Sequence, residues 1–399
     1  MDFFGFFLLA AIVPGAAAVT IELLARFWIR HGHSYAWTPG HRLEMNIDPL
    51  LKIDGQTTAR IQINSRGERG GGGFGQPGAF EILATGGSAV ECYLLDQPNT
   101  WTAVLERKLS LPKHLHVLKS QRVHVGNCGK AGVDSYRLDM MLKHLAGNYK
   151  NKVDVILIMA GASDVLNWMA AGAPDAWRGN GDEPLGDFLA VHSDWTFGWK
   201  PRTLAVAELY RRVRAKRPVV RNQAGKTLLK ARRYRQQAAV FHQKTPDAAV
   251  VFERFERYMA SAIATASSFS RHVIVISQPC FSRDAYSPED EMNFWGGAVG
   301  DPFKGEVSTF FSARVIADLM TQLTVQTKLV AQKAGVPCLD LSSGVIPNDR
   351  SHYYDQFHFT PKGAAVAGSI AAEMILDVAG LNGGGGRVGH PAGQLSVAR

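Results

Sequence analysis

Cysteine is scarce in this chain. Four occur in 399 residues, Cys92, Cys128, Cys280 and Cys338, and no two are spaced as a CxxC pair. That pattern excludes a disulfide framework and a cysteine-based zinc module, and leaves buried free thiols as the expectation. Histidine offers no metal site either. His31 with His33, and His114 with His116, form HxH pairs, but no acidic or cysteine partner completes a ligand set. No metal is expected. No repeat of solenoid length is present. The glycine runs at 70–75 and 383–386 lack the strand–loop–helix setting of a phosphate cradle, so no cofactor is expected and both read as flexible linkers.

Two further absences are local. From Phe3 to Ile21 there is no charge, over a length just sufficient to cross a bilayer. Pro14 and Gly15 interrupt that run, as membrane helices tolerate. The Met-Asp start lacks the basic region of a cleaved signal peptide, so residues 1–30 read as a membrane anchor or an uncleaved signal. Arg26 and Arg30 follow it, which by the positive-inside rule places the next residues in the cytoplasm. From Leu209 to Lys244 there is no acid, while twelve lysines and arginines more than account for the net charge of +9. A solvated helical face and a contact with an anionic bilayer surface both fit this run. Nucleic acid is not expected, because no recognised nucleic-acid module surrounds it.

Between these segments the composition is that of a globular protein, 46% apolar and 20% charged. Residues 31–79 are rich in glycine, proline and polar residues and read as a linker or wrapping arm. From Phe80, short Val- and Ile-rich runs recur: "FEILATG", "RVHVGN", "VDVILIMAG", "HVIVISQP" and "VPCLDLS". Each is bounded by turn-forming residues, as expected of strands buried on both faces. Helical spacing alternates with them over Thr100–Leu109, Ser135–Leu145, Ser308–Lys333 and Pro361–Val378. The alternation predicts an α/β fold, a three-layer α/β/α sandwich on a mainly parallel five-stranded sheet, over residues 80–380. Residues 165–270 break the rhythm and read as a basic, tryptophan-containing insertion, and 381–399 as a loose tail.

The first strand ends in "ILATGGSAVE", which places Ser88 behind two glycines at the carboxyl edge of the sheet. Open α/β sheets bind ligands at that edge. Ser88 is therefore a candidate nucleophile, with a helix N-cap as the plainer alternative. Near the other end, "YYDQFHFTPKG" puts Asp355 three residues before His358. At that spacing the carboxylate can accept the Nδ1 hydrogen and leave Nε2 free as a base. A serine hydroxyl needs such a base, because it is a weak nucleophile at neutral pH. The loops "GNCGKAGVDS" and "MAGASDV" follow the second and third strands and would lie at the same edge, where backbone N–H groups can stabilise an oxyanion.

These blocks, in this order, resemble the SGNH hydrolases, the GDSL esterase and lipase superfamily. "GGS" at 86–88 stands in the place of GDS, "GKAGVDS" of the second block, "GASD" of GxND, and "DQFH" matches DxxH. "INSRGERG" looks like the NSxGxRG arm of one bacterial branch, and "GGSAVECYLLDQPNTW" like that branch's first block. The resemblance spans about residues 63–90, 120–165 and 272–378. It implies a flavodoxin-like sheet and a triad of Ser88, His358 and Asp355, with Ser88, Gly132 and Ser163 around the oxyanion. Two positions depart from the pattern: Gly87 replaces an acidic residue, and Ser163 stands where the family has an asparagine. A serine hydroxyl is a shorter donor. Asp164 is expected to hold its loop rather than take part in the chemistry. An ordinary α/β-hydrolase elbow, GxSxG, is excluded by Val90. The implied activity is hydrolysis of an O-acyl ester on carbohydrate or lipid, with an O-acyltransferase or a catalytically silent membrane-associated scaffold as alternatives.

Overall fold

The Val- and Ile-rich runs build one parallel sheet. In the computed structural model, residues 3–30, 35–72, 75–149, 153–179, 204–215, 219–342 and 344–381 are described. Ten strands lie among them: β1 (Arg42–Ile47), β2 (Thr58–Gln62), β3 (Ala79–Gly86), β4 (Arg122–Asn127), β5 (Val153–Met159), β6 (Val219–Ala224), β7 (Val240–His242), β8 (Ser270–Ser277), β9 (Thr309–Phe311) and β10 (Cys338–Asp340). The central sheet runs β10-β8-β5-β3-β4, all parallel. Numbered by their turn in the chain, these strands follow the flavodoxin-like order, which reverses direction at the first strand. The fold is thus the five-stranded α/β/α sandwich predicted from the alternation.

Side-chain alternation divides the core into two halves. Ile82, Ala84, Val125, Val155, Leu157 and Ile274 face one cluster, with the helices Trp101–Leu109 and Pro361–Leu381. Leu83, Ile156, Ile158, Val273 and Val275 face the other, with Ser135–Leu145, Ala249–Phe269 and Ala313–Lys333. A strand covered on both faces has no polar side, which is why these runs carry no alternation in the sequence.

Two regions differ from the sequence expectation. Residues 31–79 contain a hairpin, β1 antiparallel to β2, and β1 also pairs in parallel with β6. Both hairpin strands alternate exposed and buried residues. Their charged outer faces gave the segment a polar composition that masked them. The insertion is also shorter than 165–270. Its first residues complete the helix Ala162–Ala170, and its last form Ala249–Phe269, which is the crossover between β5 and β8. Trp168 is core, whereas Trp195 and Trp199 lie outside the described residues, as does the expected tail after Leu381.

The amino-terminal segment Phe3–Arg30 is one helix, with Val19, Ile21, Leu24 and Trp28 exposed. Among the described residues, Pro361–Gly380 has the length and apolar composition to cross a bilayer. It is a core helix here, with Ala364, Ala367, Ala371 and Ile375 buried.

Behind the hairpin, the arm "INSRGERG" docks on the sheet edge. Asn64 Oδ1 accepts from the Arg66 and Glu68 N–H groups, and Arg69 exchanges both backbone bonds with Asn127. The Arg69 guanidinium is buried. It donates to the carbonyls of Glu91 at 2.6 Å, Cys92 at 2.8 Å and Leu95 at 2.6 Å, and to Gln97 Oε1 at 3.1 Å. The Glu91 and Cys92 carbonyls end the short helix that begins at Ser88, and Leu95 lies in the turn after it. Arg69→Met would leave them buried and unpartnered. Each such group costs about 1–3 kcal/mol, so an unfolding free energy from urea titration lowered by at least that amount is expected, and an unchanged value would refute the brace.

Candidate active site

The sheet's carboxyl edge gathers the chemistry because one strand must turn sharply there. β3 ends at Gly86 with φ +148°, and a Cβ at this position would lie 1.9 Å from the Met159 carbonyl oxygen of β5. Only glycine fits so close to the neighbouring backbone. Gly87 donates to that same carbonyl at 3.2 Å and is the N-cap of Ser88–Glu91. Ser88 is therefore the first helical residue and not the cap, and its hydroxyl is turned away from the helix.

That hydroxyl meets His358. Ser88 Oγ and His358 Nε2 are 2.7 Å apart. On the other ring nitrogen, Nδ1 lies 2.8 and 2.9 Å from the two Asp355 oxygens. A tight turn sets the pair: Asp355 Oδ1 accepts the N–H groups of Phe357 and His358, each at 2.9 Å. The Trp295 indole donates to Asp355 Oδ2 at 2.9 Å. The imidazole lies nearly parallel to both the Tyr354 and Trp295 rings, at 12° and 15°. Burial would raise the Asp355 carboxyl, but the charge and hydrogen bond of His358, the Arg232 guanidinium and the Phe357 N–H outweigh it. Its pKa lies below the usual carboxylate value.

Gly132 and Ser163 line the same cavity as Ser88. Among the described residues, the N–H groups of Ser88 and Gly132 and the Ser163 hydroxyl have no hydrogen-bond partner in the protein. A methyl group on Gly87 would sit 3.8 Å from Ser163 Oγ, so this hydroxyl stands beside the Ser88 turn. The Gly132 loop is braced from two sides. Glu91 Oε2 accepts the Ala131 N–H, and Asp164 accepts the Ser135 N–H at 2.8 Å. Burial pushes the Glu91 carboxyl up to about 7, against the Ala131 bond and the charges of Arg69, Lys130 and His358. Asp164 is also raised, by burial and the charge of Asp134, while Arg254 bonds both carboxylates. Asp164 thus holds a loop, in line with its expected role.

Several supports escaped sequence reasoning. Arg232 and Arg235 belong to the basic run but are buried. Arg232 donates to the Tyr354 carbonyl at 2.7 Å. Arg235 donates to the carbonyls of Gly296 and Phe311, both at 2.8 Å, with Phe241 and Phe310 against its guanidinium. Nothing in a run of like charges marks which members turn inward. For Trp295, "NFWGG" carried no readable signal. Arg69 had one, since it closes the arm motif.

The cavity holds about 570 Å³. Polar groups from Ser88, Glu91, Ser163, Asn167, Gln278 and Asp301 share its walls with Trp295, Phe303 and Tyr354. A serine, a correctly held imidazole and free donors around one point form the arrangement needed for acyl transfer.

No family model matches the chain, and neither does any curated protein. Solved structures of similar shape include a lipolytic protein of the G-D-S-L family from Veillonella parvula. It is 11% identical over 73% of this chain and 96% of that one, at a TM-score of 0.39. LAE5, an alpha/beta hydrolase enzyme from the metagenome of Lake Arreo, Spain, is 12% identical over 74% and 95%, also at 0.39. Axe2, an acetylxylan esterase from Geobacillus stearothermophilus, is 13% identical over 76% and 92%, at 0.36. Likeness of this size carries neither chemistry nor substrate across. Those must be read from the side chains.

Because Asp355 is held below its unfolded value, its charge stabilises the fold at neutral pH, and that contribution is lost as the pH falls through the folded-state pKa. Asp355→Asn lacks it. The gap in melting temperature between wild type and Asp355→Asn should therefore narrow on acidification, and a gap independent of pH would contradict the depressed carboxyl.

Proposed function

We propose that the protein is a serine ester hydrolase of the SGNH type, anchored to a membrane by its amino-terminal helix. The observation that carries this reading is the unbroken chain from Asp355 through His358 to Ser88, at 2.8 and 2.7 Å, opening on a cavity beside free N–H donors. Ser88 Oγ attacks the acyl carbonyl while His358 Nε2 takes its proton. The oxyanion is held by the N–H groups of Ser88 and Gly132, with the Ser163 hydroxyl as third donor. His358 then returns its proton to the departing alkoxide, leaving an acyl group on Ser88. A water molecule, deprotonated by His358, attacks that ester and releases the carboxylic acid and free Ser88. Asp355 keeps the imidazole in the productive tautomer and stabilises its charged form.

The substrate class is an O-acyl ester borne by carbohydrate or lipid, consistent with a cavity that mixes aromatic and polar walls. For the membrane, the uncharged stretch Phe3–Ile21 within the helix Phe3–Arg30 supports an anchor. The exposed cations Arg221, Lys226, Lys230 and Arg233 are available to an anionic surface. Arg232 and Arg235 are not.

The test is turnover of p-nitrophenyl acetate, butyrate and octanoate by the detergent-solubilised full chain. Ser88→Ala and His358→Ala should each lower kcat/KM by roughly 10³-fold or more. Wild-type turnover that persists in both variants, or no turnover from folded wild type, would overturn the reading. Product analysis with a sugar acceptor present separates hydrolysis from acyl transfer. Ser163→Ala, which removes the third donor, should lower kcat by roughly a hundredfold, the cost of losing one oxyanion donor.

A further inference from the structure

The anchor helix meets a second helix at the point where its uncharged run ends. Glu22 is the first charged residue after Phe3–Ile21. Its carboxylate accepts the Ala205 N–H at 2.8 Å, the Val206 N–H at 3.2 Å and the Arg26 Nε–H at 2.7 Å. The first two are leading N–H groups of the helix Ala205–Ala215, which have no partner within that helix. Ala205 and Leu209 then pack against Ala25. A helix rises about 1.5 Å per residue, so this contact lies within about 6 Å of Ile21 along the axis. For a span ending at Ile21, that is the headgroup layer. The Trp28 side chain, exposed one turn further on, fits the same layer.

Beside Ala205 and Leu209, a stripe of the second helix stays uncovered. Val206, Tyr210 and Val213 recur at helical spacing on one face, and Tyr210 and Val213 are 63% and 66% exposed. The stripe continues the apolar surface of the anchor, where Leu23, Leu24 and Phe27 are also exposed. Arg211, Arg212 and Arg214 belong to the same helix, and no acid occurs between Glu208 and Lys244. An apolar stripe within a basic run suits a helix lying in the plane of an anionic bilayer surface. We propose that Ala205–Ala215 is such an interfacial helix. It docks on the anchor through Glu22 and seats Val206, Tyr210 and Val213 at the acyl boundary of an anionic bilayer. The inference extends the anchored reading above, on which its placement rests. A single span leaves the domain free to tilt, whereas a second contact in the plane fixes which of its faces meets the lipid.

The experiment attaches an NBD fluorophore to Val13→Cys, Tyr210→Cys or Val213→Cys in the full chain. Each is reconstituted into vesicles of phosphatidylcholine and phosphatidylserine whose acyl chains carry a doxyl quencher. Wild type taken through the same labelling gives the background from the four native cysteines. Position 13 reports the span, and 210 and 213 report the second helix. All three should lose roughly half of their emission or more, since an interfacial helix sits about 5–10 Å into the headgroup–acyl boundary. In phosphatidylcholine alone the loss should shrink at 210 and 213 and persist at 13. Quenching at 13 only overturns the proposal and keeps the anchor, as expected if protein covers the stripe. Quenching at 210 and 213 only overturns the anchor and keeps the surface contact. No quenching at any position overturns both. Undiminished quenching at 210 and 213 without phosphatidylserine overturns the anionic partner. Glu22→Ala, which removes the acceptor of the Ala205 and Val206 N–H groups, should reduce the loss at 213 and not at 13. An unchanged loss at 213 overturns docking through Glu22.

Discussion

The site depends on how closely two neighbouring strands approach at one end. Where β3 stops, its last backbone atoms lie so near the Met159 carbonyl that a methyl group would collide with it. This contact turns the chain directly into the Ser88 helix instead of a wider loop. Position 88 consequently lies over the sheet edge, within reach of a histidine brought from the start of the last helix 270 residues away in sequence. Everything else at the site supports that meeting. The Asp355 turn fixes the ring, Trp295 and Tyr354 flank it, and Glu91 and Asp164 hold the Gly132 loop between them.

Buried guanidinium groups are the recurrent means of support. Arg69 collects the carbonyls that end the Ser88 helix, Arg232 the carbonyl before Asp355, Arg235 those of Gly296 and Phe311, and Arg254 the carboxylates of Asp134 and Asp164. A guanidinium presents several donors in a fixed plane and stays charged under nearly all conditions. Burial lowers Arg235, but only to about 10, which leaves it protonated at neutral pH. One such group can satisfy carbonyls from separate segments at once, which matters where loops rather than regular elements form the site.

How much of this was legible in the sequence follows from what each feature needed. The five central strands, their helices and the pair Asp355–His358 depend on local patterns: apolar runs bounded by turns, helical spacing, and a three-residue separation. Ser88 also has a local mark in its two glycines. The hairpin of β1 and β2 was hidden because its outward residues are charged, and its partner β6 lies more than 150 residues away, a pairing that no local period reveals. Trp295 and Arg232 matter only through where they end up, and nothing near them in the chain says so. The family resemblance did mark the arm, but it gave no reason for Arg69. That reason is three carbonyls waiting under the Ser88 turn.

The insertion between β5 and β8 has a consequence for how the protein could have been assembled from parts. β6 completes the hairpin's sheet, β7 pairs with β9, and the helix between them supplies Arg232 and Arg235 to the walls of the site. A segment that looks like an accessory addition thus shares its hydrogen bonds with the residues around Asp355. Removing it would strip the histidine loop of its Arg232 anchor and Gly296 and Phe311 of Arg235, and expose a strand edge on each side. Its loss and the loss of the site's geometry would be a single cooperative event, so the insertion belongs to the same domain as the site in the thermodynamic sense, whatever the order in which the two were joined.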